Sequence, residues 1–426
     1  MKTLTNGIHT ELLPTGLSIV ARHVPNRVVT IDVWINTGSA REDDSTNGIS
    51  HFLEHMLFKG SRRYGVGELD RAIMDLGGVW NAGTSMDFTH YYVTVGAPFF
   101  HQALDVIADM IQHPTLDPVE FEKERSVILE EYLRKQDDPW GWLYDEIYGY
   151  AYLSGPYRRT VLGTYESISQ LTHDVLVDYY RRTYIAENTN IVVVGDIDPP
   201  EVIAAVAQAF SELPAGSSGW PFPHAEISYN SGFRAIVPRD VHKVYLALAY
   251  PAPGLDDVDN LVAMDLVSTI LGSGRSSRLN QRLHETLKIV DEIGASFHSH
   301  RFPSLFSVSA CLTPKTLEAA IEESHKCVCS IVGEAPSQAE LDKARRILRN
   351  TIYFTMETTS GQSDLIGYFL TLMRKPDFYR QYLDLVAEIP VEKVVACAEK
   401  YLVSFNPVVI AEVPQNETEN ASGVAL

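Results

Sequence analysis

Two helix-start signals of the same kind stand 220 positions apart in this chain of 426 residues. Asp117 precedes a proline and, three positions on, Glu120, which is the pattern of an N-capped helix. Ser337 and Glu340 form a capping box at the matching place. Because each signal opens a long charged helix and follows an apolar, strand-like stretch, the chain is predicted to be an internal duplication, which strongly limits the folds it can adopt.

The duplication predicts an α+β fold of two homologous sandwich domains, each an antiparallel-rich sheet with helices on one face. The Gly-, Pro- and Ser-rich stretch 213–225 is the predicted linker between a first domain, 1–212, and a second domain, 226–413. The polar residues 414–426 are predicted to be a disordered tail.

Composition excludes several classes of protein. The chain is 45% hydrophobic, which is too apolar for a disordered chain. Its net charge of −20 makes nucleic acid an unsuitable partner, because such binding depends on basic side chains that neutralise phosphates. No run of 18 apolar residues occurs, so no membrane span is expected.

The segment with the clearest chemistry is His51-Phe-Leu-Glu54-His55. Apolar residues around it follow helical spacing, so both histidines are expected on one face of a helix, where two imidazoles can bind one zinc ion. The order HxxEH is the inverse of the HExxH zinc-peptidase motif. A catalytic zinc needs a third protein ligand, and the helix that follows Asp117 offers five candidates: Glu120, Glu122, Glu124, Glu130 and Glu131.

With these residues in view, the chain resembles the pitrilysin/insulysin family of zinc peptidases. The resemblance is to the shorter branch, which includes the mitochondrial processing peptidase and bacterial two-subunit relatives. It rests on the HxxEH motif, on Glu131 at 76 positions after His55, and on three further stretches. These stretches are Asn81-Ala-Gly-Thr-Ser-Met-Asp87, Val161-Leu-Gly-Thr164 and Val194-Gly-Asp196.

The resemblance implies a zinc-dependent endopeptidase subunit that hydrolyses extended or unfolded peptides inside a chamber. It implies one Zn²⁺ per chain, bound by His51, His55 and Glu131. Glu54 would be the general base for the attacking water, and Glu124 would help to hold the site. The acidic first half, with 16 basic and 30 acidic residues in 1–213, is expected to favour basic or neutral peptides over acidic ones.

The family pattern also implies how a peptide binds. Asn81 and Ala82 match an edge strand onto which an extended peptide adds by main-chain hydrogen bonds. Active members carry an Arg and a Tyr in the second half that hold the substrate. This chain has His284 and Asp291 at those positions, so its substrate clamp is missing.

The second half also lacks metal ligands. By distance from the helix-start signals, Glu131 corresponds to Thr351 and Glu124 to Ala344. This half therefore corresponds to a non-metal domain that completes the chamber.

The missing clamp predicts a heterodimer with a homologous non-zinc subunit, with a homodimer as the alternative. A different class of function is a non-catalytic assembly subunit, resembling the core proteins of respiratory complexes. No basic-then-apolar leader is found in residues 1–14. The expected compartment is the bacterial periplasm, because two-subunit relatives can be exported, with the cytoplasm as the alternative.

Overall fold

The computed structural model describes residues 2–5, 7–217 and 226–415, which form two compact units that are each discontinuous in sequence. The first unit comprises Met1–Tyr132, Arg159–His224 and Ile352–Gln381, and the second comprises Leu133–Arg158, Ala225–Thr351 and Tyr382–Leu426. Within the described part of the chain, no helix combines the length and apolar character that crossing a membrane requires.

Fourteen strands and fourteen α-helices are found in the described residues. The strands are β1 (Lys2–Thr5), β2 (Ile8–Leu12), β3 (Ser18–His23), β4 (Val28–Ile35), β5 (Val79–Thr84), β6 (Thr89–Gly96), β7 (Tyr152–Ser154), β8 (Thr189–Gly195), β9 (Ser228–Tyr229), β10 (Arg234–Arg239), β11 (Val244–Ala252), β12 (Glu292–His298), β13 (Ser304–Leu312) and β14 (Val408–Pro414). The helices are α1 (Ile49–Leu57), α2 (Glu68–Asp75), α3 (Phe100–Gln112), α4 (Pro118–Asp137), α5 (Pro139–Ala151), α6 (Tyr165–Gln170), α7 (His173–Thr183), α8 (Pro199–Ala209), α9 (Val258–Gly272), α10 (Leu317–Gly333), α11 (Gln338–Thr355), α12 (Thr359–Met373), α13 (Phe378–Glu388) and α14 (Val391–Ala398).

The two main sheets have the same topology. Strand order is β1-β2-β3-β8-β4-β6-β5 in the first unit and β10-β14-β11-β13-β12 in the second. In each sheet one pair is parallel, β3 with β8 and β10 with β14, and every other neighbouring pair is antiparallel. The five strands of the second sheet therefore match the last five of the first in order and direction. This match confirms the predicted α+β fold and its internal duplication.

One face of the first sheet packs against helices from the same half of the sequence. Side chains alternate along a strand, and the odd-numbered residues of β4, from Val29 to Ile35, are all fully buried on this face. Phe52 and Met56 of α1 are buried in the same core. Each such side chain stabilises the fold by about 1.5–3 kcal/mol when it leaves water.

The other face of this sheet is covered by α12, a helix from the second half of the sequence. Short side chains spaced four residues apart form its contact stripe: Thr359, Ser363, Gly367 and Thr371. Thr30 Oγ1 donates a hydrogen bond to Thr359 Oγ1 at 2.9 Å, and Asp32 accepts one from Ser363 at 3.4 Å. Trp34 packs on Gly367. The prediction of helices on one face only is wrong here, because the even-numbered residues of β4 also need cover.

The second unit likewise takes one of its helices from the other half of the sequence, so the two halves exchange a helix. α5 belongs to the first half of the sequence but packs against β11 and β14. Its N-cap Asp138 accepts a hydrogen bond from Gly141 N at 3.0 Å, and Thr358 caps Gly361 N at 3.0 Å at the start of α12, again 220 positions later.

The observed units therefore differ from the predicted contiguous domains, 1–212 and 226–413, because one helix is exchanged in each direction. The predicted linker 213–225 lies outside the described residues from position 218, and the predicted tail from position 416.

Gly367→Ala is expected to lower the free energy of unfolding by about 1–3 kcal/mol, because its Cβ would overlap the Trp34 indole and overpack the interface. This loss should exceed the gain of about 1 kcal/mol that alanine brings to a helix interior. Gly149→Ala in α5 is the matched control, since no atom would lie closer than 4.0 Å to its Cβ. Denaturant unfolding of both variants measures the difference, and equal stabilities would contradict the packing argument.

Candidate metal centre

α1 presents two imidazoles on one face. His51 and His55 are four residues apart, and their ring centroids lie 4.6 Å from each other. Phe52 and Met56, each one position after a histidine and therefore on a neighbouring side of the helix, are fully buried. Burial of that side fixes the rotation of α1, so the two histidine side chains stay at its outer side, 12% and 23% exposed.

α4 brings a carboxylate to the two histidines. Phe121, Glu124 and Ile128 are the buried residues of this helix, and Glu131 continues the same face at helical spacing. Glu131 Oε1 lies 3.9 Å from His51 Nε2, and Glu131 Oε2 lies 3.7 Å from His55 Nε2. The structure therefore brings the three predicted ligands together, while Glu120, Glu122 and Glu130 stay outside the cluster.

The cluster fits a zinc ion. One ligand atom from each of His51, His55 and Glu131 lies within 4.8 Å of the others. Tetrahedral zinc, with bonds of about 2.0–2.2 Å, needs ligand atoms about 3.3–3.6 Å apart, so small movements of the three ligand side chains, of which Glu131 is 38% exposed, would bring them to this spacing. Two imidazoles and one carboxylate are a donor set of catalytic zinc sites. Among the residues that the structure describes, no other group of three His, Cys, Asp or Glu side chains meets this geometry.

Glu124 holds one of the histidines in place. It is 5% exposed, and its Oε1 lies 2.8 Å from His55 Nδ1, which directs His55 Nε2 towards Glu131. Its Oε2 lies 2.6 Å from Lys59 Nζ. Burial acts to raise the pKa of Glu124, but the bonds with His55 and Lys59 outweigh it and the pKa is lowered. For His55 burial acts to lower the pKa, and the contacts with carboxylates, Glu124 foremost, raise it overall.

Lys59 was not recognised in the sequence. It lies one turn beyond His55 on the same helical face, at the spacing that relates His51 to His55. Extending the helical face of His51 and His55 by one further turn along the sequence would have identified Lys59.

Glu54 points to the edge of the sheet. Thr84 Oγ1, on β5, donates a hydrogen bond of 2.5 Å to Glu54 Oε2. Burial raises the pKa of Glu54, although this hydrogen bond and nearby His55 partly offset the effect. A largely buried carboxylate beside the ligand cluster, fixed by one hydroxyl, has the environment that suits a general base.

The start of α1 is anchored by a buried carboxylate that sequence analysis did not identify. Glu42 is fully buried, and its two oxygens accept hydrogen bonds from Gly48 N at 2.7 Å and Ser50 N at 2.9 Å. It also accepts one from Asn47 Nδ2 at 2.9 Å. Burial raises the pKa of Glu42, while these hydrogen bonds stabilise its charged form. Glu42 thus satisfies amides that the first turn of a helix leaves without partners.

Gly48 allows the backbone around Leu162 to approach the start of α1 closely. Its φ is +95°, and a Cβ there would lie 2.7 Å from Leu162 O. The stretch Val161-Leu-Gly-Thr164, noted in the sequence, therefore packs against the beginning of α1.

β5 is an edge strand. It pairs with β6 and has no partner on its other side among the described strands. Asn81 and Ala82 lie at its middle, and Ala82 N donates a hydrogen bond to Asn81 Oδ1 at 2.9 Å. The structure thus places both residues on a free edge next to Glu54, where an extended peptide could pair.

The part of the second unit that the structure describes carries no equivalent cluster. α9, at the place of α1, contains no histidine, and Thr351 and Ala344 stand in α11 where α4 has its glutamates. Asp291 Oδ2 lies 3.1 Å from Lys243 Nζ, and His284 Nδ1 lies 3.5 Å from Glu285 Oε1. The two clamp positions thus hold side chains that are engaged by neighbouring charges.

Comparison with known proteins gives a consistent result. Residues 18–165 match the sequence model of insulinase, peptidase family M16, and residues 170–348 match that of the M16 peptidase inactive domain. An uncharacterised zinc protease of Mycobacterium leprae is 29% identical over 400 residues, 93% of this chain and 89% of the relative. A probable mitochondrial-processing peptidase subunit beta of Arabidopsis thaliana is 29% identical over 371 residues, 83% of this chain and 68% of the relative.

A solved structure matches over nearly the whole length. The crystal structure of a protease from Helicobacter pylori superimposes with a TM-score of 0.90 at 26% identity, covering 96% of this chain and 99% of that one.

Glu124→Gln is expected to weaken zinc binding by about 10- to 100-fold, because a neutral amide supports His55 less well than a carboxylate. Glu122→Gln is the matched control on the same helix, since its side chain is 63% exposed and lies outside the cluster. Competition titration with a zinc chelator measures both affinities. If the two variants bind zinc equally well, Glu124 does not support the site.

Proposed function

Because the chain belongs to the insulinase (M16) family of peptidases and is a metalloendopeptidase, we propose that it cuts extended peptides with one zinc ion held by His51, His55 and Glu131. The observation that carries the proposal is the cluster of these three side chains beside Glu54. Bound zinc would polarise the scissile carbonyl and lower the pKa of a water molecule.

The chain's own residues supply the proton transfer. Glu54 takes a proton from the attacking water and returns it to the leaving amine, and Thr84 keeps its carboxylate oriented. Glu124 keeps His55 in the tautomer that leaves Nε2 available as a ligand.

The free edge of β5 binds the peptide backbone. A strand that pairs with β5 passes Glu54 at Thr84, so main-chain hydrogen bonds place a peptide bond near the ligand cluster. Ala82 N would exchange its bond to Asn81 for one to the peptide. Recognition through the backbone explains a preference for extended or unfolded substrates.

A homologous non-zinc subunit is the partner that this proposal favours. His284 and Asp291 replace the Arg and Tyr of the family pattern, and Asp291 is paired with Lys243. The Arabidopsis relative is named as a subunit, which supports a two-chain arrangement. The bacterial periplasm, with the cytoplasm as the alternative, stays our prediction for the compartment.

An assembly subunit without activity is the less favoured alternative. A scaffold has no need of three candidate ligands, a supporting carboxylate and a candidate base, yet the three-ligand group lies beside both Glu124 and Glu54. Metal analysis of the purified chain discriminates the two functions, since about one zinc per chain is expected only for the enzyme.

Glu54→Gln is expected to lower kcat by at least about 100-fold, because the amide cannot accept the proton of the attacking water. Zinc content should remain at one ion per chain, since Glu54 lies outside the three-ligand group. Glu130→Gln, at the exposed neighbour of a ligand, is the control and should keep its activity. Hydrolysis of an unstructured fluorogenic peptide is the measurement. Full activity of Glu54→Gln would remove Glu54 from the mechanism.

The isolated chain is expected to hydrolyse such peptides poorly, and a homologous subunit that keeps the Arg and Tyr should raise kcat/KM by at least about tenfold. The same subunit with both residues changed to alanine is the control for assembly without the clamp. Strong hydrolysis by the zinc-loaded chain alone would refute the need for a partner.

A further inference from the structure

Gly83 leaves a gap in the row of side chains on edge strand β5. It pairs directly with His90 on β6, and both face the side of the sheet opposite α1. A Cβ at position 83 would lie 3.2 Å from His90 Nε2. The absent side chain therefore gives access to the imidazole from the free edge of the sheet.

His90 is fixed in the orientation that uses this gap. Its Nδ1 lies 3.2 Å from Oδ1 of Asp32, whose side chain is 2% exposed, and its ring centroid lies 4.4 Å from that of Trp34. Phe88 and Tyr92 flank the ring, with centroids at 5.8 and 5.7 Å. Asp32 Oδ1 accepts a hydrogen bond from His90 Nδ1–H, so Nε2 is the atom directed at Gly83, and the described residues provide no hydrogen-bond partner for it.

A peptide paired with β5 would place one side chain over this gap. The residue opposite Gly83 has its side chain on the same face, about 4.5–5.5 Å away between Cβ positions. Thr84, the next residue of β5, holds Glu54, so this peptide residue lies close to the scissile bond. This step rests on the proposed function.

The chemistry of His90 determines what the gap accepts. An apolar side chain would cover Nε2 and deprive it of water without replacing the hydrogen bond. A carboxamide can donate to neutral imidazole and accept from imidazolium, so it satisfies Nε2 in both states. A carboxylate would come close to the charges of Asp32 and Asp364, which both act on His90.

We propose that Gly83 and His90 form a side-chain subsite of the peptidase that selects an uncharged polar residue, of asparagine or glutamine type, next to the scissile bond. Sites built around a hydrogen bond to a side chain discriminate strongly against the analogue that lacks it. Glutamine and methionine have similar length, so the pair isolates the hydrogen bond from size.

The test uses the zinc-loaded full chain, assembled with the homologous subunit that keeps the Arg and Tyr, and a peptide library that varies each position around the cleavage site. Wild type should prefer Gln over Met by about 5- to 100-fold at one position. His90→Leu should abolish or reverse this preference at that position alone. Gly83→Ala should lower kcat/KM for Gln and Met by at least tenfold there, while Gly at that position is still accepted. His101→Leu is the control, because its side chain is 62% exposed on α3, away from β5.

Peptide binding gives a second readout that needs no hydrolysis. In the Glu54→Gln background, fluorescence anisotropy should show the same Gln-over-Met ratio and its loss in His90→Leu. If the assembled two-subunit enzyme shows no hydrolysis but this ratio is found, the proposed function fails and the subsite stands. If peptides are cut or bound with a profile that neither Gly83→Ala nor His90→Leu changes, or if the two variants change different positions, the subsite is refuted. Absence of both cleavage and binding refutes both proposals.

Discussion

The central strand β4 is buried on both faces, and the rest of the first unit depends on this double burial. Its odd-numbered side chains enter a core made by helices of the same sequence half, but Thr30, Asp32 and Trp34 point the other way. Buried hydroxyl and carboxyl groups are costly without partners, and α12 supplies these partners through short side chains. Neither sequence half can therefore complete its sheet alone, which is why the duplication takes the form of an exchange and not of two independent domains.

The fold holds α1, which carries His51 and His55, in a fixed position. Glu42 holds the helix at its beginning. Just beyond its end, the buried Asp109 accepts hydrogen bonds from Ser61 Oγ at 2.6 Å and from Arg63 N at 3.1 Å. The helix is thus fixed by a carboxylate at its start and by its apolar side in the core, and a second carboxylate holds the loop that follows it. Such support holds ligand side chains within the narrow tolerance that a metal site needs.

The sequence allowed prediction of those features whose physics is local. Cap residues such as Asp117 and Ser337 report helix starts, and the spacing of His51 and His55 reports a shared helical face. Glu131 was one of five candidates by spacing, and the family resemblance selected it. Contacts between distant segments could not be predicted, because nothing local in Asp109 says that it will meet Ser61 and Arg63. The exchange of α5 and α12 could not be predicted for the same reason. Both halves carry equivalent helices, and the sequence pattern does not say which sheet each helix covers.

The exchange also has a consequence for the order in which this protein can acquire its structure. Thr30 and Thr359, which are hydrogen-bonded in the native state, are separated by 329 positions, so the sheet of the first half stays incompletely covered while most of the chain is synthesised. Contacts of such long range are formed late and slow folding, because a large loop must close first. The uncovered face of β4, which carries Trp34, would meanwhile be open to non-specific contacts that favour aggregation. Completion of the first unit is thereby tied to the synthesis of α12, which lies in the last sixth of the polypeptide.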